Sequence, residues 1–161
     1  PTNGTLVLNT DGASSDTTGG IGGVIRNSLG EWIMGFAGKI SHSSPFHAEA
    51  VALLEDLRLA KQLGIQISSA QSDSILLIHW LQGQSLIFTN MLQECRSLSQ
   101  ELGLVEVEHV WREGNRLADR MAKQGMKREL SNMDSEIFLS PPSVVMDIFQ
   151  SDCTRKTIPR L

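Results

Sequence analysis

A mixed α/β fold is predicted by three features of the sequence. Short apolar runs open the chain, segments with a helical apolar repeat follow, and the two kinds then alternate. Later strands separated by helical segments must be reached by crossovers, so the sheet is mixed rather than a pure meander. With 161 residues, 40% of them hydrophobic, the chain has enough apolar surface for one ordinary core.

The elements follow in order. Leu6, Val7 and Leu8 form an apolar run ending in Asn9, Thr10, Asp11 and Gly12, the pattern of a buried strand arriving at a turn, with Asp11 at the strand's C-terminal end. Residues 20–27 and 31–40 read as a hairpin around the turn signal Asn27, Ser28, Leu29, Gly30. The glycines at 19, 20, 22 and 23 do not make a dinucleotide loop, because the pattern starting at Gly20 meets Ile25 where a third glycine is needed. Ser44 then Pro45 is an N-cap followed by proline at the first helical position, and Ala50, Leu53, Leu54 and Leu57 carry a helix over 45–63 to Gly64. Glu49 falls in its second turn. Ile65 to Ser72 reads as a strand, Asp73 as the junction to a helix containing Ile75–Leu81, and Met91, Cys95, Leu98 and Leu102 as one side of another helix. Val105, Val107, His109 and Trp111 alternate with Glu106, Glu108 and Val110, a strand with one mostly acidic face. Gly114 and the N-cap Asn115 start a last helix through Lys127, with Asp119 about one turn in. Residues 1–128 therefore form the domain, and 129–161, with Pro141, Pro142, Pro159 and one apolar patch at Val144–Phe149, a loosely attached tail with one short helix. Trp32, Trp80 and Trp111 are expected in or near the core.

Composition excludes several classes. The longest aliphatic run, Ile75–Ile78, is far short of the roughly 20 residues of a membrane-spanning helix. Cys95 and Cys153 have no zinc-ligand spacing and cannot form a disulfide framework. No signal peptide opens the chain, which begins at Pro1 like an excised region, so a nuclear or cytoplasmic monomer is expected and not a secreted protein. The net charge is −4, yet residues 112–128 hold six basic and two acidic side chains. Arg112, Arg116, Arg120, Lys123, Lys127 and Arg128 fall at spacings that make a helical stripe, so any nucleic-acid contact is local and salt-sensitive.

Asp11, Asp73 and Asp119 lie at strand ends or helix starts, and Glu49 near the start of the helix after the hairpin. In a sheet of this kind those places can converge on one edge. Each acid alone has a structural explanation: Asp11 as a turn residue, Asp73 as an N-cap, Glu49 and Asp119 as helix-dipole partners. Four converging carboxylates repel, and protonation or divalent cations relieve the repulsion. Oxygen-only donors suit Mg²⁺ or Mn²⁺ rather than zinc.

The segments Asn9-Thr10-Asp11-Gly12-Ala13-Ser14, His47-Ala48-Glu49-Ala50, Gln71-Ser72-Asp73-Ser74 and Arg112-Glu113-Gly114-Asn115-Arg116-Leu117-Ala118-Asp119 resemble the four motifs of the ribonuclease H family. They are most similar to its plant branch, found in or derived from non-LTR retroelement polyproteins, over about residues 4–127. The resemblance implies a three-layer α/β/α fold with a five-stranded mixed sheet, three antiparallel strands first and two parallel strands after. It also implies an endonuclease that cuts the RNA strand of RNA–DNA hybrids with two Mg²⁺ (or Mn²⁺) ions, fused to or associated with a reverse transcriptase. Carried over by motif, Asp11 bridges both ions, Glu49 and Asp73 bind one, and Asp119 the other. Gly12, Ser14, Asn115, Arg116 and Arg120 fall to substrate, with Asn115 facing the scissile phosphate and Gly12 near the 2′-hydroxyls.

The match departs in two places. No histidine lies between His109 and Asp119, where bacterial relatives carry one that is thought to help product leave, and Gln82–Asn90, in place of a basic protrusion, holds no Lys or Arg. Both departures favour slow turnover and modest hybrid affinity, and they sustain the alternative of a weak or inactive domesticated domain that binds nucleic acid or protein. A 3′–5′ exonuclease is disfavoured, since its first motif needs a second acid where Ala13 stands.

Overall fold

Strand β1 (Val7–Ser14) lies inside a six-stranded sheet, flanked by β2 (Thr18–Arg26) on one side and β4 (Ser69–Ser72) on the other. The computed structural model describes residues 5–41, 44–82, 89–103, 106–128 and 135–157. Strand β3 (Trp32–Ser41) pairs antiparallel with β2, and β5 (Glu106–His109) pairs parallel with β4, giving the order β5-β4-β1-β2-β3-β6. The hairpin turn closes as its residues suggest: Asn27 Oδ1 accepts from the Leu29 and Glu31 amides at 3.0 and 2.9 Å.

Helices α1 (Pro45–Gln62), α2 (Ile75–Gln82) and α3 (Thr89–Glu101) cover one face, and α4 (Arg116–Met126) and α5 (Met146–Thr157) the other. Alternation along each strand divides the core. Leu8, Ile25 and Phe36 pack with Leu53, Leu57, Leu92 and Leu98 on the first face, while Val24 and Ala37 pack with Leu117 and Met121 on the second. Each such fully buried large side chain contributes about 1.5–3 kcal/mol. The β2 glycines allow the second layer to come close: a Cβ at Gly22 would overlap the Ala122 amide of α4.

Several expectations are corrected. The first strand does not end at Asp11; residues 11–14 continue it by pairing with Gly22 to Gly19 of β2. Strand β4 starts at Ser69: the Ile65 amide still donates back to Ala60 O of α1, and the Ser68 amide donates to Leu6 O where the β1–β4 pairing begins. Helix α4 is preceded by a 3₁₀ turn, Arg112–Asn115. The sheet has six strands, not five, because Glu136–Phe138 forms β6 along the free edge of β3. That segment is not loosely attached: Val145 and Ile148 are buried in the second core cluster. Trp32 is half-buried, donates to Phe138 O at 3.0 Å and meets Phe149 edge-on, whereas Trp111 is 73% exposed beyond the end of β5. The Trp80 side chain and most of the protrusion region 82–90 lie outside the described residues. Cys95 and Cys153 are free, and among the described residues no helix is long and apolar enough to cross a membrane.

Candidate metal and nucleic-acid site

The parallel pairing of β1 with β4 stops at Asn9 opposite Gln71, so Asp11 sits where β1 runs on past its neighbour. Asp73 comes two residues after Gln71, at the same edge. The cap of α2 belongs to Ser74, whose Oγ accepts from the Leu77 amide at 3.1 Å, and the Asp73 carboxylate is left to face the groove. Helix α1 is capped by Ser44, which accepts from the His47 amide at 3.2 Å, and it carries Glu49 against β1. That approach depends on Gly12, where a Cβ would overlap the Ala48 carbonyl.

Carboxylate oxygens of Asp11, Glu49 and Asp73 lie within 4.8 Å of one another. Asp119 lines the same groove from α4, with its carboxylate 3.0 Å from Lys123 Nζ. Burial first, then the hydrogen bond and charge of Glu49 and the charges of Asp73 and Asp119, push the Asp11 carboxyl up to about 11. Burial likewise raises Glu49 to about 7, against the hydrogen bonds from Asp11 and from the Gly12 amide, which favour its charged form. Glu49 Oε2 is buried without a hydrogen-bond partner among the described residues. A hard divalent cation fits this set: the donors are all oxygen, burial pushes two of the acids towards their protonated forms, which a cation would oppose, and one buried oxygen lacks a partner among the described residues.

Gly12 and Ser14 line the groove beside Asp11. Asn115 does not face it: the side chain is 1% exposed, its Nδ2 donates to Thr10 O at 3.0 Å and its Oδ1 accepts from Asn9. It makes no side-chain cap for α4 either, so its amide ties the helix to β1. Arg120 turns to Val144 O at 3.1 Å, beside a recess shared with Ser15, Lys123 and Lys127. Arg116 is partly exposed at the start of α4 and does not line the groove, and Arg128 is spent on Ala37 O at 2.7 Å. Two basic residues of the stripe, Arg112 and Lys123, stand beside the acids, a placement the sequence did not assign. Lys123 was legible as the residue four after Asp119, one helical turn away, whereas Arg112, 89% exposed and 3.9 Å from Asp73, depends on the β4–β5 pairing.

A family model described as "Reverse transcriptase-like" matches residues 9–125. The chain belongs to this family. It is a ribonuclease H-like domain of the plant type. The domain is 28% identical over 165 residues to the Arabidopsis thaliana protein named "Putative ribonuclease H protein At1g65750", spanning 99% of this chain and 26% of that protein's length. Among solved structures, the N-terminal RNase H domain of a Mycobacterium tuberculosis protein superposes with a TM-score of 0.66 at 21% identity, over 76% of this chain and 93% of that one. RNase H1 of Halobacterium salinarum gives 0.63 at 26% identity, over 76% and 98%. LC11-RNase H1, solved in complex with an RNA/DNA hybrid, gives 0.68 at 19% identity, over 76% and 96%. The fold is thus the ribonuclease H-like three-layer α/β/α arrangement, here with a six-stranded sheet.

Proposed function

We propose that this domain hydrolyses the RNA strand of RNA–DNA hybrids, using two Mg²⁺ or Mn²⁺ ions held by Asp11, Glu49, Asp73 and Asp119. The observation that carries the reading is the convergence of Asp11, Glu49 and Asp73 within 4.8 Å, with Asp119 on the same groove. Divalent ions bound there supply Lewis-acid charge and a nucleophile at neutral pH. The chain's own residues do the rest. Burial favours the protonated forms of Asp11 and Glu49, and divalent cations held there would favour the ionised forms, making both acids oxygen donors. Lys123 and Arg112 flank the acids and draw the scissile phosphate towards them. Ser14, whose hydroxyl both donates and accepts, and the backbone at Gly12 meet the RNA strand's 2′-hydroxyls. Arg116, Arg120 and Lys127 track the phosphate backbone along α4.

A fused or associated reverse transcriptase, in nucleus or cytoplasm, is the source of hybrid consistent with the family's description and with a relative about four times longer. The test is Asp11→Asn. Loss of hybrid cleavage with retained hybrid binding supports the reading; unchanged cleavage contradicts it.

A further inference from the structure

Behind the acids, a set of buried polar side chains forms one connected run of hydrogen bonds. Asn9, 1% exposed, is its centre. Its Nδ2 donates to Gln71 Oε1 at 3.0 Å and Asn115 Oδ1 at 3.2 Å, and its Oδ1 accepts from Arg26 Nη2 at 3.0 Å. Asn115 Nδ2 donates to Thr10 O at 3.0 Å, and the Thr10 hydroxyl, on the other face of the sheet, donates to Asp56 Oδ2 at 2.8 Å.

Every acid-bearing segment is tied to this run. Thr10 precedes Asp11 in β1, Gln71 lies two residues before Asp73, Asn115 lies about one turn before Asp119, and Asp56 lies about two turns after Glu49 on α1. The acids crowd one another across four elements, and as ionised donors they would repel, so directional bonds between those elements fix their spacing.

The orientation of the run is set from outside. An amide can sit in two flipped states, whereas a guanidinium only donates. Arg26 therefore fixes Asn9 with its oxygen towards β2 and its nitrogen towards Gln71 and Asn115. Arg26 is itself held by Asp152 of α5, Nη1 to Oδ2 at 3.4 Å, with the two side chains 13% and 19% exposed. The tail helix thus reaches the site through three side chains.

We propose that α5 is a positioning element for the carboxylate site, acting through Asp152, Arg26 and Asn9. The inference rests on the cation-site reading above. None of the three touches the reacting atoms; they set the spacing of residues that do.

The test is Mn²⁺ titration by calorimetry on the full chain at 25 °C, with melting curves to show that each variant is folded at that temperature. Asp152→Ala and the isosteric Asp152→Asn should each weaken Mn²⁺ binding about 3- to 10-fold, less than the tenfold or more typical of direct neighbours of ligands. Asp152→Glu should recover affinity to within about 2-fold of the parent. Glu94→Ala, which breaks the exposed pair with Arg58 on α1, should leave affinity unchanged. A merely structural ion pair would lower the melting temperature and leave the affinity alone. Unchanged Mn²⁺ affinity in Asp152→Ala and Asp152→Asn overturns the inference while the cation site stands, and absence of Mn²⁺ binding by the parent chain overturns both.

Discussion

Asp11 and Glu49 share a hydrogen bond in which the Asp11 carboxyl donates and Glu49 accepts, Asp11 buried and Glu49 half-buried between β1 and α1. The pair makes stability depend on pH with a defined sign. In the unfolded chain these carboxyls titrate near their ordinary values of 3.8 and 4.5, whereas the folded state holds Glu49 to about 7 and Asp11 to about 11. Above about pH 4 the folded state binds more protons than the unfolded one, so the pair's contribution falls as pH rises. In EDTA the melting temperature should decline from pH 5 to pH 8, and Mg²⁺ or Mn²⁺ should restore it most at the upper end. Thermal melts across that range with and without metal check this.

Folding above the ordinary carboxyl range requires Asp11 to take up a proton, and Asp11→Asn removes that cost while keeping a neutral side chain in its place. Without metal it should melt higher than the parent, by about 1 kcal/mol or roughly 2–4 °C for a domain of this size. The same variant should bind Mn²⁺ far more weakly, so the gain in stability and the loss of metal go together.

Gly12→Ala places a methyl group against the Ala48 carbonyl, and α1 must retreat. Overpacking of this kind costs about 1–3 kcal/mol. Because Glu49 moves with the helix, Mn²⁺ affinity should fall as well, and a melt paired with a metal titration reads both.

The basic groups divide by what holds them. Lys123 and Arg112 flank the acids, whereas Arg128 is bound to Ala37 O. Arg112→Ala should lower the slope of log affinity for hybrid against log salt by about one, the amount expected for one lost phosphate contact. Arg116→Ala with Arg120→Ala should lower it further; an unaltered slope would make α4's stripe a solvated face only. Fluorescence titration of a labelled hybrid at several salt concentrations decides this.

Val145→Ala and Ile148→Ala test whether β6 and α5 belong to the same cooperative unit as the sheet. Each removes buried methyl groups from the cluster around Met121 and Leu117. Ile148→Ala should cost about 2–5 kcal/mol and shift a single denaturation transition, where a separate tail would leave the main transition in place.

The acids were legible because they fall beside local signals: a strand run before Asp11, a capped helix before Glu49, strand-to-helix junctions at Asp73 and Asp119. What was not legible depends on pairing between distant residues. Glu136–Phe138 is too short to read as a strand and exists because β3 offers a free edge about 100 residues earlier. Asn115 is a good cap residue by type, and only the fold shows that its amide goes to Thr10, 105 positions away. Trp111 has the apolar bulk of a core residue, but β5 ends at His109 and leaves it outside the sheet. The cap at Ser74 rather than Asp73 is a shift of one residue that sequence spacing does not resolve.

The most direct measurement is cleavage of an end-labelled RNA–DNA hybrid by the purified chain, with Mg²⁺, Mn²⁺ or EDTA, beside RNA–RNA and DNA–DNA duplexes and the Asp11→Asn variant. Metal-dependent cutting of the hybrid's RNA strand alone, lost in EDTA and in Asp11→Asn, is the predicted result. Binding of the hybrid without cutting under any metal condition would contradict the account and leave the domain as a nucleic-acid-binding module.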